Sequence, residues 1–145
     1  MVLVLIPVRM DMPVNSIVGV PDNGETIELD SEGTIEVRGY ALPHGRDGPV
    51  QKVEVSTDDG KTWIEAKLSF GDHDGGDLET EKARKHLRWA WCLWSVKVPI
   101  SKGSNRRVVS RATDSGGNTQ EKQSAWNLRG VGYNGWGSAS NLTVN

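Results

Sequence analysis

The segment Thr34-Ile35-Glu36-Val37-Arg38-Gly39-Tyr40-Ala41 decides the fold class of this chain. Successive side chains of a β-strand point to opposite faces, so the alternation places apolar residues on one side and charged residues on the other. Ile35, Val37 and Ala41 share the apolar side. This pattern predicts a half-buried strand with one face in a hydrophobic core.

Similar runs recur along the chain, separated by clusters of Gly, Pro, Asn and Asp, and helical periodicity is nearly absent. The Asp59-Gly60 pair supplies a residue that tolerates positive φ and predicts a turn between two strands. We expect an all-β, immunoglobulin-like β-sandwich of about seven or eight strands, although the cysteine pair of antibody domains is missing. Nine candidate segments supply these seven or eight strands, and they are residues 17–20, 25–29, 34–41, 52–56, 62–68, 89–98, 106–114, 125–131 and 138–144.

The 145 residues suit a single domain with a real core. We expect residues 1–12 to be an N-terminal extension or an artificial start, and residues 13–145 to form the sandwich. The net charge of −2, with both signs interspersed, argues against a nucleic-acid partner. The apolar run at residues 2–8 is far shorter than the ~20 residues of a membrane span, so no membrane partner is predicted.

Residues 69–88 interrupt the strand pattern, because they open acidic and Gly-rich and close basic. We expect an inserted loop, and whether it is functional or mobile stays open. It contains the carboxylate–histidine cluster Asp72-His73-Asp74, which could offer ligands to a cation. Adjacent ligands rarely converge without partners from elsewhere, so we favour a solvated loop and predict no metal site.

Residues 89–94 place tryptophans on both faces of one strand, with Trp89 and Trp91 on one side and Trp94 on the other. One face must be the core, and the other needs a loop, a neighbouring domain or a second subunit to cover it. Cys92, the single cysteine, cannot form an internal disulfide and is best interpreted as a small buried apolar residue. This fits an intracellular location, with cytoplasm, mitochondrion and peroxisome left open.

The segment Trp126-Asn127-Leu128-Arg129-Gly130 has a usable geometry if it is extended. Trp126 and Leu128 would anchor one face while Asn127 and Arg129 project from the other. The planar guanidinium of Arg129 would suit a carboxylate or an oxyanion. Spacing alone favours the alternative of a surface arginine in a weak ion pair. Phosphate-binding, zinc-protease and nucleophile-elbow motifs are absent, so we predict no catalytic residue in the chain.

Five segments, taken together in their order along the chain, resemble the dimerisation domain that follows the molybdenum domain in sulfite oxidases and eukaryotic nitrate reductases. The ordered set is specific where each piece alone would be weak. The resemblance covers about residues 12–137, and the segments are residues 12–16, 53–63, 89–94, 110–114 and 126–131.

The resemblance implies a function for Arg129. In the sulfite oxidase branch the arginine of the Trp-Asn-Leu-Arg-Gly motif reaches the molybdenum site and helps to bind sulfite or sulfate, whereas the nitrate reductase branch typically has methionine there. Arg129 holds that position and is the substrate-binding residue we expect, with Trp126 and Asn127 supporting it. The family's molybdenum-ligating cysteine belongs to the preceding domain, and Cys92 does not replace it.

The resemblance also implies the partners. We expect a homodimer, contact with the protein's own molybdenum domain, and a sulfite or sulfate anion in the parent enzyme. Molybdopterin-bound molybdenum would belong to that parent enzyme, a sulfite oxidase, and the chain alone would bind no cofactor and be inactive. Residues 132–137 depart from the common pattern and look like the form in fungal members, and residues 69–88 have no obvious counterpart in the family.

Two alternative functions stay open. A stand-alone adhesion or carbohydrate-binding sandwich is one, because this architecture hosts many functions and six tryptophans could line a sugar groove. The dimerisation domain of a nitrate reductase is the other.

Overall fold

A computed structural model describes residues 13–44, 47–70, 91–122 and 135–145. These ranges contain nine β-strands and no helix. They are β1 (Asn15–Val20), β2 (Thr26–Ile27), β3 (Thr34–Leu42), β4 (Val50–Ser56), β5 (Ile64–Glu65), β6 (Lys67–Ser69), β7 (Cys92–Pro99), β8 (Gly103–Asp114) and β9 (Gly137–Val144).

The strands form two sheets around one core. The first sheet has four strands in the order β1-β3-β7-β6, and the second has five in the order β2-β9-β8-β4-β5. Pairing is antiparallel throughout except between β2 and β9. The predicted all-β sandwich is confirmed, with nine strands in the described ranges where seven or eight were expected. The immunoglobulin-like assignment stays a prediction.

The alternation in β3 is confirmed. Ile35, Val37 and Ala41 are all buried, while Glu36 and Arg38 on the opposite side are exposed. The core that they join is rich in valine, because β-branched side chains pack well on a pleated surface. Its other buried apolar members include Val50, Val53, Val55, Trp94, Val98, Val108, Ala112, Ala139 and Leu142.

The prediction of one strand over residues 62–68 is wrong. The chain makes two short strands there, and β5 pairs with β4 in one sheet while β6 pairs with β7 in the other. Ala66 lies between them, almost fully buried, and its N–H donates to the carbonyl of Val53 at 2.7 Å. A small side chain at this point lets the chain pass from one sheet to the other close to the core.

The predicted turn at Asp59-Gly60 is confirmed, with φ values of 61° and 87°. Asp58 organises it by accepting hydrogen bonds from the Thr62 hydroxyl at 2.5 Å, the Thr62 N–H at 2.8 Å and the Ser56 hydroxyl at 2.7 Å. These bonds favour the ionised form and lower the pKa of Asp58 to about 2.

Three sequence-based expectations fall on chain outside the described residues. They are the extension at residues 1–12, nearly all of the insertion at residues 69–88, and the whole of the strand at residues 125–131. The boundary between residues 12 and 13 therefore stays a prediction. The structure shows no helix in the described ranges that is long and apolar enough to span a membrane.

Candidate functional site

Trp126, Asn127 and Arg129, the three site residues predicted from sequence, lie outside the described residues. The structure does define the chain on both sides of them. We call residues 119–122 and 135–136 the stem, because they lead into and out of this segment. The stem is the part of the predicted site whose geometry can be measured.

The two arms of the stem are hydrogen-bonded to each other. Glu121 and Gly135 form a parallel bridge, and the N–H of Trp136 donates to the carbonyl of Glu121 at 2.9 Å. The first arm also pairs back onto β8, where Thr113 and Thr119 form an antiparallel bridge. The stem is therefore an extension of the five-stranded sheet.

Gln120 connects both arms of the stem to the interior of the sandwich. Its side chain is 2% exposed. The amide nitrogen donates to the carbonyl of Gly135 at 2.7 Å and to Oδ1 of Asn15 at 3.0 Å. The amide oxygen accepts from the N–H of Ala112 at 2.9 Å and from the hydroxyl of Ser16 at 2.5 Å. Backbone groups on both sides therefore fix the orientation of the amide.

Aromatic and cationic side chains brace the second arm. Trp136 packs edge-on against Trp63, with ring centroids 4.8 Å apart. The guanidinium of Arg111 lies 4.1 Å from the centroid of Trp63 and forms a salt bridge of 3.0 Å with Glu54. Cation–π contact and ion pair together hold this guanidinium in one place.

Lys122 braces the first arm. Its ammonium donates to Asp59 at 2.8 Å, and this hydrogen bond and the Lys122 charge lower the pKa of that carboxyl group. Lys122 also lies 5.8 Å from the ring centroid of Trp136. Both arms of the stem are thus tied to the β4–β5 turn.

The outer side of the four-stranded sheet carries a second candidate site. Six large apolar residues are exposed there. One is Val20 at the end of β1, and we call the other five the apolar face: Ile17, Tyr40, Leu42, Trp91 and Leu93. Ile17 pairs with Tyr40 across β1 and β3, and Tyr40 pairs with Leu93 across β3 and β7. The rings of Tyr40 and Trp91 meet edge-on at 6.4 Å. Trp91 is 58% exposed and Leu93 is 50% exposed, which leaves much apolar area for a partner to cover.

A groove of about 560 Å³ lies next to the apolar face on the same sheet. Tyr40 and Leu93 line it on one side, and Arg38, Ser95 and Lys67 contribute polar groups. The outer surface of this sheet therefore changes from mainly apolar to mainly polar along its strands, and Glu36 lies 3.8 Å from Arg38 at the polar end.

The prediction that Trp91 and Trp94 face opposite sides is confirmed, since Trp94 is 2% exposed and Trp91 is on the surface. Tyr40 and Leu42 are not among the site residues predicted from sequence, although both occupy the outward positions of β3, where charged residues were expected. Gln120 is not among them either, because a lone polar residue in a loop carries no pattern that marks it.

The interpretation of Cys92 as a buried apolar residue is confirmed. It is 1% exposed, and burial raises the pKa of its thiol to about 12, so a thiolate ligand is disfavoured. Within the described ranges, no group of three or more His, Cys, Asp or Glu side chains could hold a metal ion. The cluster Asp72-His73-Asp74 lies outside those ranges.

Comparison with known families settles which family this sandwich represents. Residues 7–140 match the family described as the Mo-co oxidoreductase dimerisation domain. This chain belongs to that family. The dimerisation-domain match spans β1 to the first half of β9 and includes the stem and the apolar face.

Proteins similar to this dimerisation domain come from two enzyme groups. The human mitochondrial sulfite oxidase is 38% identical over 133 residues, which is 90% of this chain and 22% of that protein. The NADH nitrate reductase of Chlorella vulgaris is 38% identical over 122 residues, which is 83% of this chain and 35% of that protein. The chain thus spans only about a fifth to a third of these relatives.

A solved structure supports the fold. The sulfane dehydrogenase SoxCD from Paracoccus pantotrophus matches with a TM-score of 0.55 and 21% identity, over 91% of this chain and 32% of that chain. At this identity the likeness concerns the sandwich of the dimerisation domain and not its activity.

Proposed function

We propose that this chain pairs the subunits of a sulfite oxidase-type molybdenum oxidoreductase as a homodimer, and that the apolar face is the surface that meets the second copy. The observation that carries the proposal is the row of exposed apolar side chains on a domain whose family is described as a dimerisation domain. Such a patch on a soluble domain typically marks an interaction surface.

The composition of the face suits a two-fold interface. Aromatic and aliphatic residues form its centre, and Arg38 and Lys67 stand at one end as part of a polar rim. In a two-fold dimer both subunits use the same patch, so each apolar residue of the patch is buried in both copies. The edge-on pair Tyr40–Trp91 is preformed, so little side-chain entropy is lost on association.

Leu93→Lys is expected to weaken the dimer. Half of the Leu93 side chain is exposed, and losing its burial in two copies costs about 2 kcal/mol in total, which corresponds to about a 30-fold higher dimer dissociation constant. Sedimentation velocity on the parent enzyme over a dilution series measures this constant.

Ile64→Lys is the matched control, because Ile64 is an exposed apolar residue on the other sheet. Its dimer should dissociate as the unsubstituted protein does. If Ile64→Lys dissociates the dimer and Leu93→Lys does not, the interface lies on the five-stranded sheet. If neither does, the apolar face is covered within one subunit and the proposed interface is wrong.

We further propose that Arg129 contributes to anion binding in the molybdenum site of the parent enzyme. The support is its place in the Trp-Asn-Leu-Arg-Gly motif and the firm anchoring of the stem on both sides of it. A fixed guanidinium can balance the charge of an oxyanion with little reorganisation. Trp126 and Asn127 would support the backbone around it.

Arg129→Gln in the complete enzyme is expected to raise the Michaelis constant for sulfite about tenfold, because a charge-assisted hydrogen bond to the anion is lost. Thermal unfolding should change little, since the role proposed is at the anion and not in the core. Steady-state kinetics with sulfite and a melting curve on the same sample test both statements. An unchanged Michaelis constant would show that Arg129 does not bind the substrate.

The cofactor belongs to another part of the parent enzyme in this proposal. The single cysteine, Cys92, is buried and its raised pKa disfavours the thiolate form that a metal ligand needs. We therefore place molybdopterin-bound molybdenum in a separate molybdenum domain, as the family resemblance implies, and regard the chain alone as catalytically inactive. Sulfite oxidised to sulfate would be the reaction of the whole enzyme.

A nitrate reductase dimerisation domain is the second candidate, favoured by the 38% identity to the Chlorella vulgaris enzyme. Arg129 argues against this candidate, because the nitrate reductase branch typically has methionine at that position of the motif. Turnover of nitrate by the complete protein, without turnover of sulfite, would establish the second candidate. Family membership favours either over the stand-alone binding module.

A further inference from the structure

Short side chains leave a depression in the outer surface of the four-stranded sheet. Ser95 is the smallest residue on the outward positions of β7. Gly19 adds no side chain at the β1 edge, where the register shifts between Val18 and Val20. The groove over these positions has a volume of about 560 Å³. Pockets that take small molecules typically measure about 300–1,000 Å³, so this groove has room for a large aromatic ring.

Two cationic side chains flank the depression. Arg38 and Lys67 are the neighbours of Ser95 on β3 and β6 in the register of the sheet, and both line the groove. The contact of Arg38 with Glu36 is loose, at 3.8 Å, and both side chains are more than half exposed. Cations are attracted to the face of an aromatic ring, and most strongly to that of tryptophan. The groove therefore suits an indole better than an aliphatic side chain.

The same surface carries a tryptophan that projects from it. Trp91 is 58% exposed, which is the largest fraction among the large apolar side chains of the described ranges. It lies on the same side of the strand as Ser95 and four residues before it, which in an extended chain is a distance of about 13 Å. Leu93 stands between the two. The indole of Trp91 therefore does not reach the groove of its own subunit.

We infer that the indole of Trp91 seats in the groove of a second copy of this chain. Because it rests on the homodimer proposed above, this seating also fixes the direction of the two-fold axis. The axis lies between the facing sheets and runs across the strands at Leu93, midway between Trp91 and Ser95. Each Trp91 then faces Ser95 of the partner subunit, and the two copies of Leu93 face each other.

A two-fold axis along the strands would also bring the two apolar faces together. Residues at the same level of the strands would then meet, so each groove would face the groove of the partner subunit. The two depressions would stay unfilled, and the atoms that line an unfilled space lose their dispersion contacts. The centre of a stable interface is packed as densely as a protein interior, which favours the axis across the strands.

The test exchanges the large side chain with the small one and measures the dimer dissociation constant of the complete parent enzyme by sedimentation velocity. Trp91→Ala should raise this constant about 100-fold, because an indole is lost from both copies. Ser95→Trp should also raise it, because the groove is then filled from its own subunit. In the double variant each new indole enters the space that the lost one has left. Its constant should therefore lie at least about tenfold below the value expected from two independent effects.

Coupling of this kind has to cross the interface, because the two positions are about 13 Å apart within one subunit and distant substitutions are usually additive. Lys97→Trp is the matched control, since Lys97 is the next outward position of β7, beyond the groove. Its effect should add to that of Trp91→Ala without recovery. Ser95→Leu repeats the exchange with a smaller side chain that the sheet accommodates more easily. A melting curve on each sample shows that the variants are folded.

Recovery in the double variant of Trp91→Ala with Ser95→Trp or Ser95→Leu, and not with Lys97→Trp, supports the inference. Additive effects throughout, equal recovery with Lys97→Trp, or an unchanged constant for Trp91→Ala overturn it. If Leu93→Lys still dissociates the dimer in those cases, the proposed interface stands with a different axis. If Leu93→Lys leaves the dimer intact, the proposed interface fails and the seating of Trp91 fails with it.

Discussion

Gly39→Ala is expected to lower the free energy of unfolding by at least about 3 kcal/mol, because the added methyl group has no room. An ideal Cβ on Gly39 would lie 1.8 Å from the carbonyl oxygen of Ile17 and 2.6 Å from the ring of Trp94. The oxygen belongs to the backbone of β1, which pairs with β3 at this point. Relief therefore requires β1 to move away from β3.

The proposed dimer surface depends on this contact as well. Trp94 pairs with Gly39 in the register of β3 and β7, and the bare backbone lets the indole pack closely over it. Ile17 and Tyr40 on the neighbouring positions belong to the apolar face. Displacing β1 would therefore disturb the proposed dimer surface together with the core.

Gly19→Ala is the matched control for this prediction. A Cβ at Gly19 would meet nothing closer than the Arg38 carbonyl at 3.7 Å, which is ordinary contact. Urea denaturation of both variants should give a loss of stability only for Gly39→Ala. A difference between them of less than about 1 kcal/mol would contradict the steric argument.

The fold class could be predicted from the sequence because its signal is local. The alternation in β3 and the Asp59-Gly60 turn each depend on a few consecutive residues, and both predictions are confirmed. The split of residues 62–68 between two sheets could not be predicted in this way, because pairing with β4 and with β7 is a contact between distant parts of the chain.

The residues of the candidate site also differ in whether local sequence predicts their role. The outward apolar positions of Tyr40 and Leu93 follow from alternation once the strands are known. Gln120 owes its importance to Asn15, which is 105 residues away in sequence, and to Gly135. No pattern of neighbouring residues contains that information. The role of Arg129 was predicted from the resemblance to a family, and it stays a prediction.

Asp114 ends the segment of residues 110–114 that resembles the family, and its structural role emerges only from the three-dimensional contacts. The side chain is fully buried. One carboxylate oxygen accepts from the N–H groups of Gly116 and Asn118, both at 3.0 Å, and the other accepts from the N–H of His44 at 2.8 Å. The side-chain amide of Asn118 donates to both oxygens at 3.1 Å.

Asp114→Ala is therefore expected to lower the free energy of unfolding by at least about 3 kcal/mol, because three backbone N–H groups lose their acceptor and each unsatisfied buried donor costs about 1–3 kcal/mol. Asp114→Asn keeps one oxygen for Gly116 and Asn118 and turns an amide nitrogen toward His44, so it should fall between. Asp22→Ala is the control, since Asp22 is exposed and accepts from its neighbour Asn23.

Asp114→Ala should also weaken the hydrogen bonds that hold the first arm of the stem. The turn that Asp114 holds leads directly into Thr119 and Gln120, and the Gln120 N–H donates to the carbonyl of Ala112 at 3.3 Å. When the turn opens, this amide should exchange its proton faster in Asp114→Ala than the amides at the other end of β8. Hydrogen exchange followed by NMR measures both. Equal acceleration at the two ends would mean that Asp114 acts through global stability alone, whereas acceleration confined to residues 115–120 would place it at the base of the stem that precedes Arg129.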